Sequence, residues 1–264
     1  MHMRAAFAVG CLLLVNGLRA DDMPANQETK TFRRSVDHQI DLQYLLFLPE
    51  GYKEGPEKHW PLMLFLHGSG ERGTNLAKVA VHGPPKIVKT KRDFPFILVS
   101  PQCPAGSIWS DEAVLALLDE IEEKYHVDRD RVYLTGVSMG GYGTWSIGMK
   151  NPERFAAIVP ICGGGNLLDV LLVAPGKQAA LKSLPVWVFH GAKDNVVPLE
   201  QSELMVSALK KAGNQNTKLT VYPEAGHDSW TDAYNSPELY DWLLQQTREK
   251  KTSLRTGKRR VKAG

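Results

Sequence analysis

Arg131-Val132-Tyr133-Leu134-Thr135-Gly136-Val137-Ser138-Met139-Gly140-Gly141 reads as a short apolar strand, Arg131–Thr135, that runs into a glycine-rich turn and then into a helix reaching to about Lys150. A serine with glycine two places before it and two after it, between a strand and a helix, marks one particular turn. The chain reverses so tightly there that neighbouring backbones leave no room for side chains at the flanking positions, and glycine fits both. The turn holds Ser138 Oγ out of the strand and above the helix N-terminus, where the helix dipole favours negative charge.

Working outward, short apolar runs alternate with helical stretches. Strands are expected at Thr31–Val36, Asp41–Leu48, Pro61–Leu66, Phe96–Ser100, Arg131–Thr135, Ala156–Pro160, Pro185–Phe189 and Lys218–Tyr222, the first two as a hairpin. Pro61–Leu66 is apolar without alternation, the pattern of a strand buried on both faces. Helices are expected at Glu112–Tyr125, with Val114, Leu117, Leu118 and Ile121 on one face and Asp111 helping to cap it, at Leu199–Ala212 with Gly213 as its stop, and at Pro237–Gln246. Strand–helix alternation predicts an α/β fold, a mostly parallel sheet with helices on both faces.

A serine hydroxyl is a weak nucleophile and needs a base. His227 follows the last strand, in Glu224-Ala225-Gly226-His227-Asp228, and Asp194 follows the strand before it, in His190-Gly191-Ala192-Lys193-Asp194. Ser138, Asp194 and His227 are therefore the candidate catalytic residues. His190 ends a strand and suits loop hydrogen bonds better, Asp228 adjoins His227 and is poorly placed to reach its Nδ1, and Glu200 suits the first turn of a helix.

A tetrahedral oxyanion needs two donors. One is expected from the backbone N–H of Met139. The other is expected from the loop His67-Gly68-Ser69-Gly70-Glu71-Arg72-Gly73, from the N–H of Ser69 with Gly70 as the alternative. Two readings of Glu71 and Arg72 stand, pairing with each other or bracing this loop. Trp109 and Trp230 are candidate substrate-pocket walls, with ordinary core as the competing reading of each.

The combination LHGSGERG (66–73), PQCP (101–104), GVSMGGYGTW (136–145), HGAKDNVVP (190–198) and GHDSWTDAY (226–234) resembles the dienelactone-hydrolase and carboxylesterase side of the α/β-hydrolase superfamily. More closely, it resembles the secreted bacterial "predicted peptidase" or polyhydroxybutyrate-depolymerase-like esterases. The resemblance spans about residues 30–247. It implies an eight-stranded, mostly parallel sheet and hydrolysis of carboxylic esters, with no cofactor, through Ser138, Asp194 and His227. In the strand order that it implies, the strands preceding Cys103 and Cys162 lie three spacings apart, about 14 Å. That is beyond the reach of a disulfide, so two free thiols are expected.

Composition excludes other classes. With 264 residues, 43% hydrophobic and 23% charged, the chain is neither disordered nor fibrous, and three cysteines make no disulfide scaffold. Residues 248–264 carry eight Lys/Arg against Glu249, a net +7, and Arg4 and Arg19 add +2 in the first twenty residues, so residues 21–247 carry −6. An acidic body excludes a nucleic-acid footprint spread over it. Met1–Ala20, with Arg4 before an apolar run, reads as a signal peptide and implies secretion or a periplasmic location. That run is too short to span a membrane. Residues 248–264 read as a basic disordered tail, either solvated or in contact with an anionic polymer. No Cys/His cluster has metal-ligand spacing. The expected activity is a serine carboxylic-ester hydrolase acting on a small-molecule or polysaccharide-linked ester. A small serine peptidase of the same fold and a non-catalytic binding protein are the alternatives.

Overall fold

The structure is a computed structural model that describes residues 30–37, 39–53 and 57–248. The expected leader and basic tail lie outside these residues. The chain divides into two units, Met1–Gln39 and Ile40–Gly264, and every candidate site residue belongs to the second.

Seven strands form one sheet: β1 (Tyr44–Phe47), β2 (Trp60–Leu66), β3 (Ile97–Pro101), β4 (Val127–Val137), β5 (Ala157–Ile161), β6 (Val186–Gly191) and β7 (Thr217–Tyr222). Their order is β1-β3-β2-β4-β5-β6-β7, with β1 antiparallel to β3 and the remaining pairs parallel. The helices are α1 (Gly83–Ile87), α2 (Asp111–Lys124), α3 (Met139–Lys150), α4 (Leu168–Leu171), α5 (Gln178–Ser183), α6 (Glu200–Lys211), α7 (Trp230–Asn235) and α8 (Pro237–Gln245).

The expected count of eight strands is corrected to seven among the described residues. Residues 31–36 form no strand. Their alternation is faulty, because the face that carries Phe32 and Val36 carries Arg34 between them, so no continuous apolar edge exists to pair. The cap of α2 is Ser110 rather than Asp111: its side chain accepts from the N–H of Ala113, and Asp111 stands in the first turn beside the dipole.

The sheet separates two cores, and β2 shows how. All seven of its residues are buried. Leu62, Leu64 and Leu66 join Val114, Leu118, Trp145 and Leu209 on the face covered by α2, α3 and α6. Met63 and Phe65 join Tyr234, Leu239 and Leu243 on the face covered by α7 and α8. Each such side chain contributes roughly 1.5–3 kcal/mol by leaving water. Two-sided burial explains the unbroken apolar run and locks the register, since a one-residue slip would exchange the two cores.

The strand order places the site. From β2 the chain steps to β3 on one side, then crosses over to β4 on the other. In open sheets of this kind, ligands bind outside the carboxyl ends of the strands at such a reversal. The loops that follow β2 and β4 are the His67–Gly73 loop and the turn at Ser138.

Candidate active site

Ser138 follows β4, occupies the cap position of α3, and has φ 53° and ψ −116°. A positive φ is costly for serine and persists only where the surroundings impose it. Here they do. The Ser138 N–H donates to Ile161 O at 3.0 Å and the Tyr142 N–H donates back to Ser138 O at 3.0 Å. Gly136 and Gly140 permit the turn. A Cβ on Gly136 would stand 2.8 Å from Leu66 O, and one on Gly140 would overlap that same oxygen. The hydroxyl stays half-buried, within reach of solvent.

The sequence candidates come together. Ser138 Oγ lies 2.9 Å from His227 Nε2, and His227 Nδ1 lies 2.7 Å from Asp194 Oδ2. A carboxylate only accepts, so Nδ1 carries the proton and Nε2 is left to accept from the serine hydroxyl. The Asp194 side chain is fully buried, and its Oδ1 accepts the N–H groups of Val196 and Val197, each at 2.9 Å. Burial alone would push its pKa up, but the bonds from His227, Val197 and Val196 outweigh burial and hold the carboxyl below its ordinary value.

His190 does satisfy loop hydrogen bonds. Its Nδ1 is 2.7 Å from Ser202 Oγ and its Nε2 is 2.9 Å from Val197 O. That Nε2 also lies 3.3 Å from Asp194 Oδ2. Reading His190 as a loop-bonding residue does not anticipate this second contact. Asp228 accepts from the N–H and hydroxyl of Thr231 instead of reaching His227, and Glu200 stands in the first turn of α6.

The loop after β2 lies against the serine, so that a Cβ built on Gly68 would stand 3.7 Å from Ser138 Cβ. Ser69 opens a short 3-10 turn and Met139 opens α3, so neither amide has a carbonyl partner in its own helix. His67 fixes the loop. Its Nε2 accepts the Cys103 N–H at 3.0 Å, so its Nδ1 carries the proton and donates to Gly68 O at 2.6 Å. That carbonyl shares a peptide plane with the Ser69 N–H, so His67 sets the direction of that donor. Burial lowers the pKa of His67 and favours the neutral ring this arrangement requires. Arg72 braces the loop through Ser69 O and Ser107 O, each at 3.0 Å, while Glu71 faces His67 and His82 at 3.9 Å each.

Of the two tryptophans, Trp109 is corrected to core. It is 6% exposed, lies 4.8 Å from the His67 ring and donates from Nε1 to His67 O at 3.0 Å. Its length suits the space between α3 and the loop, where Gly143 leaves room for it. Trp230 is half-buried with its ring edge-on to His227, 5.3 Å between centroids.

Cys103 and Cys162 are buried free thiols. Cys162, Asp194 and His227 have ligand atoms within 4.8 Å of one another. As a metal site the trio is poor: both imidazole nitrogens are engaged, and burial pushes the Cys162 thiol up to about 12, so no thiolate is offered. Among the described residues no helix is long and apolar enough to cross a membrane.

Residues 99–242 match the family described as the dienelactone hydrolase family. A solved thermostable esterase is 34% identical, with a TM-score of 0.64 over 78% of this chain and 60% of its own. A ferulic acid esterase of 22% identity, covering 76% of this chain and 90% of its own with a TM-score of 0.60, shares the fold, which is the α/β-hydrolase fold. A bifunctional acetylxylan esterase/xylanase of Neocallimastix patriciarum is 30% identical over 54% of this chain and 20% of its own length. A Bacillus subtilis protein named as an uncharacterized peptidase is also 30% identical, over 45% of this chain and 22% of its own. The chain thus spans about a fifth of the length of these two curated relatives.

Proposed function

Because the chain belongs to the dienelactone hydrolase family, we propose that it is a serine hydrolase of carboxylic esters with Ser138 as nucleophile, His227 as base and Asp194 as the acid that orients it. The observation that carries this reading is the Ser138–His227–Asp194 hydrogen-bond relay at 2.9 and 2.7 Å.

Ser138 Oγ attacks the ester carbonyl carbon as its proton passes to His227 Nε2. The carbonyl π electrons move to oxygen, and the amides of Met139 and Ser69 receive the oxyanion. Asp194 stabilises the imidazolium and keeps the proton on Nδ1. The tetrahedral intermediate collapses, the C–O bond to the alcohol breaks, and His227 returns the proton to the leaving alkoxide. Water then repeats the sequence on the acyl-serine, releasing the acid and restoring the hydroxyl.

The substrate class is an acyl group esterified to a polysaccharide or a small alcohol. In support stand the resemblances to enzymes named for acetylxylan and ferulic esters. The half-buried serine also suits an acyl group approaching from solvent. Replacing Ser138 by Ala should lower kcat/KM on p-nitrophenyl acetate by about 10³-fold or more. Survival of activity within tenfold overturns the assignment. Absence of a fluorophosphonate adduct at Ser138 would favour a binding protein.

A further inference from the structure

We propose that the groove beside His227 binds the carboxylates of an acidic glycan, so that the preferred ester is one carried by a carboxylate-bearing saccharide. The inference rests on the ester-hydrolase reading and narrows its substrate.

The groove has a volume of about 890 Å³ and runs between α1, with the segment after it, and α7. His82, Lys86, Lys89, Lys91 and Trp230 line it, and no Asp or Glu does. The three lysines are exposed and make no ion pair with a carboxylate among the described residues. Glu71 faces His82 at 3.9 Å but does not line the groove. This concentration of cations stands on a body, residues 21–247, whose net charge is −6. A concave surface lined by one sign of charge focuses its field and raises the local concentration of the opposite charge.

The groove is joined to the reacting centre by aromatic rings. His227 meets Trp230 edge-on at 5.3 Å, and Trp230 also meets His82 at 5.3 Å. Trp230 therefore forms a wall shared by the catalytic imidazole and the cationic groove. A tryptophan offers an apolar face and the lysines offer ammonium donors, the pairing that a ring-shaped polar molecule with carboxylates would fill. Lysines on flexible stems suit a chain of repeated charges better than one fixed ligand, because each ammonium can follow a different carboxylate.

The test compares acetylated oligogalacturonate with a neutral acetylated xylo-oligosaccharide, using the full chain at 20 mM salt. The expected kcat/KM ratio, acidic over neutral, is about tenfold or more and falls towards unity in 0.5 M salt. The triple variant Lys86→Gln, Lys89→Gln, Lys91→Gln should remove the preference. Lys182→Gln, Lys210→Gln, Lys211→Gln makes the same net-charge change elsewhere and should retain it. Equal ratios in the wild type, or the same loss from both triple variants, overturns the proposal. A second readout needs no turnover: Ser138→Ala protein should be retarded by polygalacturonate in affinity electrophoresis, and the groove variant in that background less so. The basic tail is common to both proteins, so it cannot account for a difference, and equal retardation overturns the proposal. Hydrolysis of p-nitrophenyl acetate that depends on Ser138, without a preference for acidic sugars, leaves the ester-hydrolase reading standing and sinks this one alone.

Discussion

His190 Nε2 lies 3.3 Å from Asp194 Oδ2, the same oxygen that accepts from His227 Nδ1 at 2.7 Å. Two imidazoles thus face one buried carboxylate, one reaching the serine and the other anchored to Val197 O and Ser202 in the wall behind.

Replacing His190 by Phe keeps a planar ring and removes the donor. Val197 O loses a bond in a buried setting, which should cost about 1–3 kcal/mol in urea unfolding. Asp194 keeps the bonds from His227, Val196 and Val197 that hold its carboxyl below the ordinary value, so kcat/KM on p-nitrophenyl acetate should stay within about tenfold of wild type. A larger fall would show that His190 positions the acid for the chemistry.

Replacing Asp194 by Asn tests the tautomer. An amide NH₂ facing His227 Nδ1 would shift the ring proton to Nε2, which could then no longer accept from Ser138. We expect kcat on p-nitrophenyl acetate to fall by about 10³–10⁴-fold with the circular dichroism of the fold preserved. The Asp194 carboxyl is held below its ordinary value of about 4. Its contribution to stability is therefore complete above that value and is lost as pH falls through the lower native pKa. The wild-type advantage over the Asn variant should shrink below about pH 4, and an advantage that grows on acidification would contradict the sign.

His67 titrates in a higher window. Its native pKa is lowered by burial from an ordinary value of about 6.5. The unfolded chain binds the extra proton first, so the stability tied to neutral His67 is full above about pH 6.5 and is lost as pH falls through the native pKa. His67→Gln, which cannot titrate, should flatten the decline in melting temperature between pH 7 and pH 5. An identical decline in both proteins would remove His67 as its source.

Two glycines separate the turn from its surroundings. A Cβ on Gly140 would overlap Leu66 O, a rigid backbone atom, whereas one on Gly70 meets nothing within 4 Å. Gly140→Ala should cost about 3 kcal/mol or more, or abolish folding. Gly70→Ala should stay within about 0.5 kcal/mol in the same thermal assay.

The parts of the fold that sequence reveals are those with one physical cause. Pro61–Leu66 is apolar because both of its faces are buried, and the serine turn is glycine-flanked because Leu66 O leaves no room. The order Ser138, Asp194, His227 follows from loops at the same end of a parallel sheet. Where causes compete, the pattern fails. The start of β4 is hidden by Asp128-Arg129-Asp130-Arg131, in which Arg131 pairs with Asp128 at 2.7 Å within the strand. Thr31–Val36 shows the opposite error, two apolar residues, Phe32 and Val36, that suggest a strand although Arg34 interrupts their face. Trp109 and Trp230 are indistinguishable as letters. Only the packing of the His67 loop sends one into the core and leaves the other beside the imidazole. His82 and the three lysines share one ten-residue stretch, but its approach to the reacting centre depends on Trp230, which only the folded chain sets against both His82 and His227.

Ser138 follows β4 and His227 follows β7, three strands along, so the His227 loop must travel back over the end of β6 to reach the serine. It passes at Gly191, where any side chain would strike the backbone of Ala225 and Gly226. The Lys193 N–H also donates to Ala225 O at 2.9 Å and ties the two loops together. Residues 223–229 act as a tie-rod of fixed length, and inserting or deleting one residue there would pull the base off the nucleophile. Between β5 and β6, Lys177 is held by Lys150 O and Glu153, and Leu181 O and Leu184 O by Asn214, but the segment around α4, with exposed Leu168, Leu171 and Leu172, holds no residue of the relay. In a directed-evolution library, length changes belong around α4, where an insert can reshape the surface while the relay keeps its geometry.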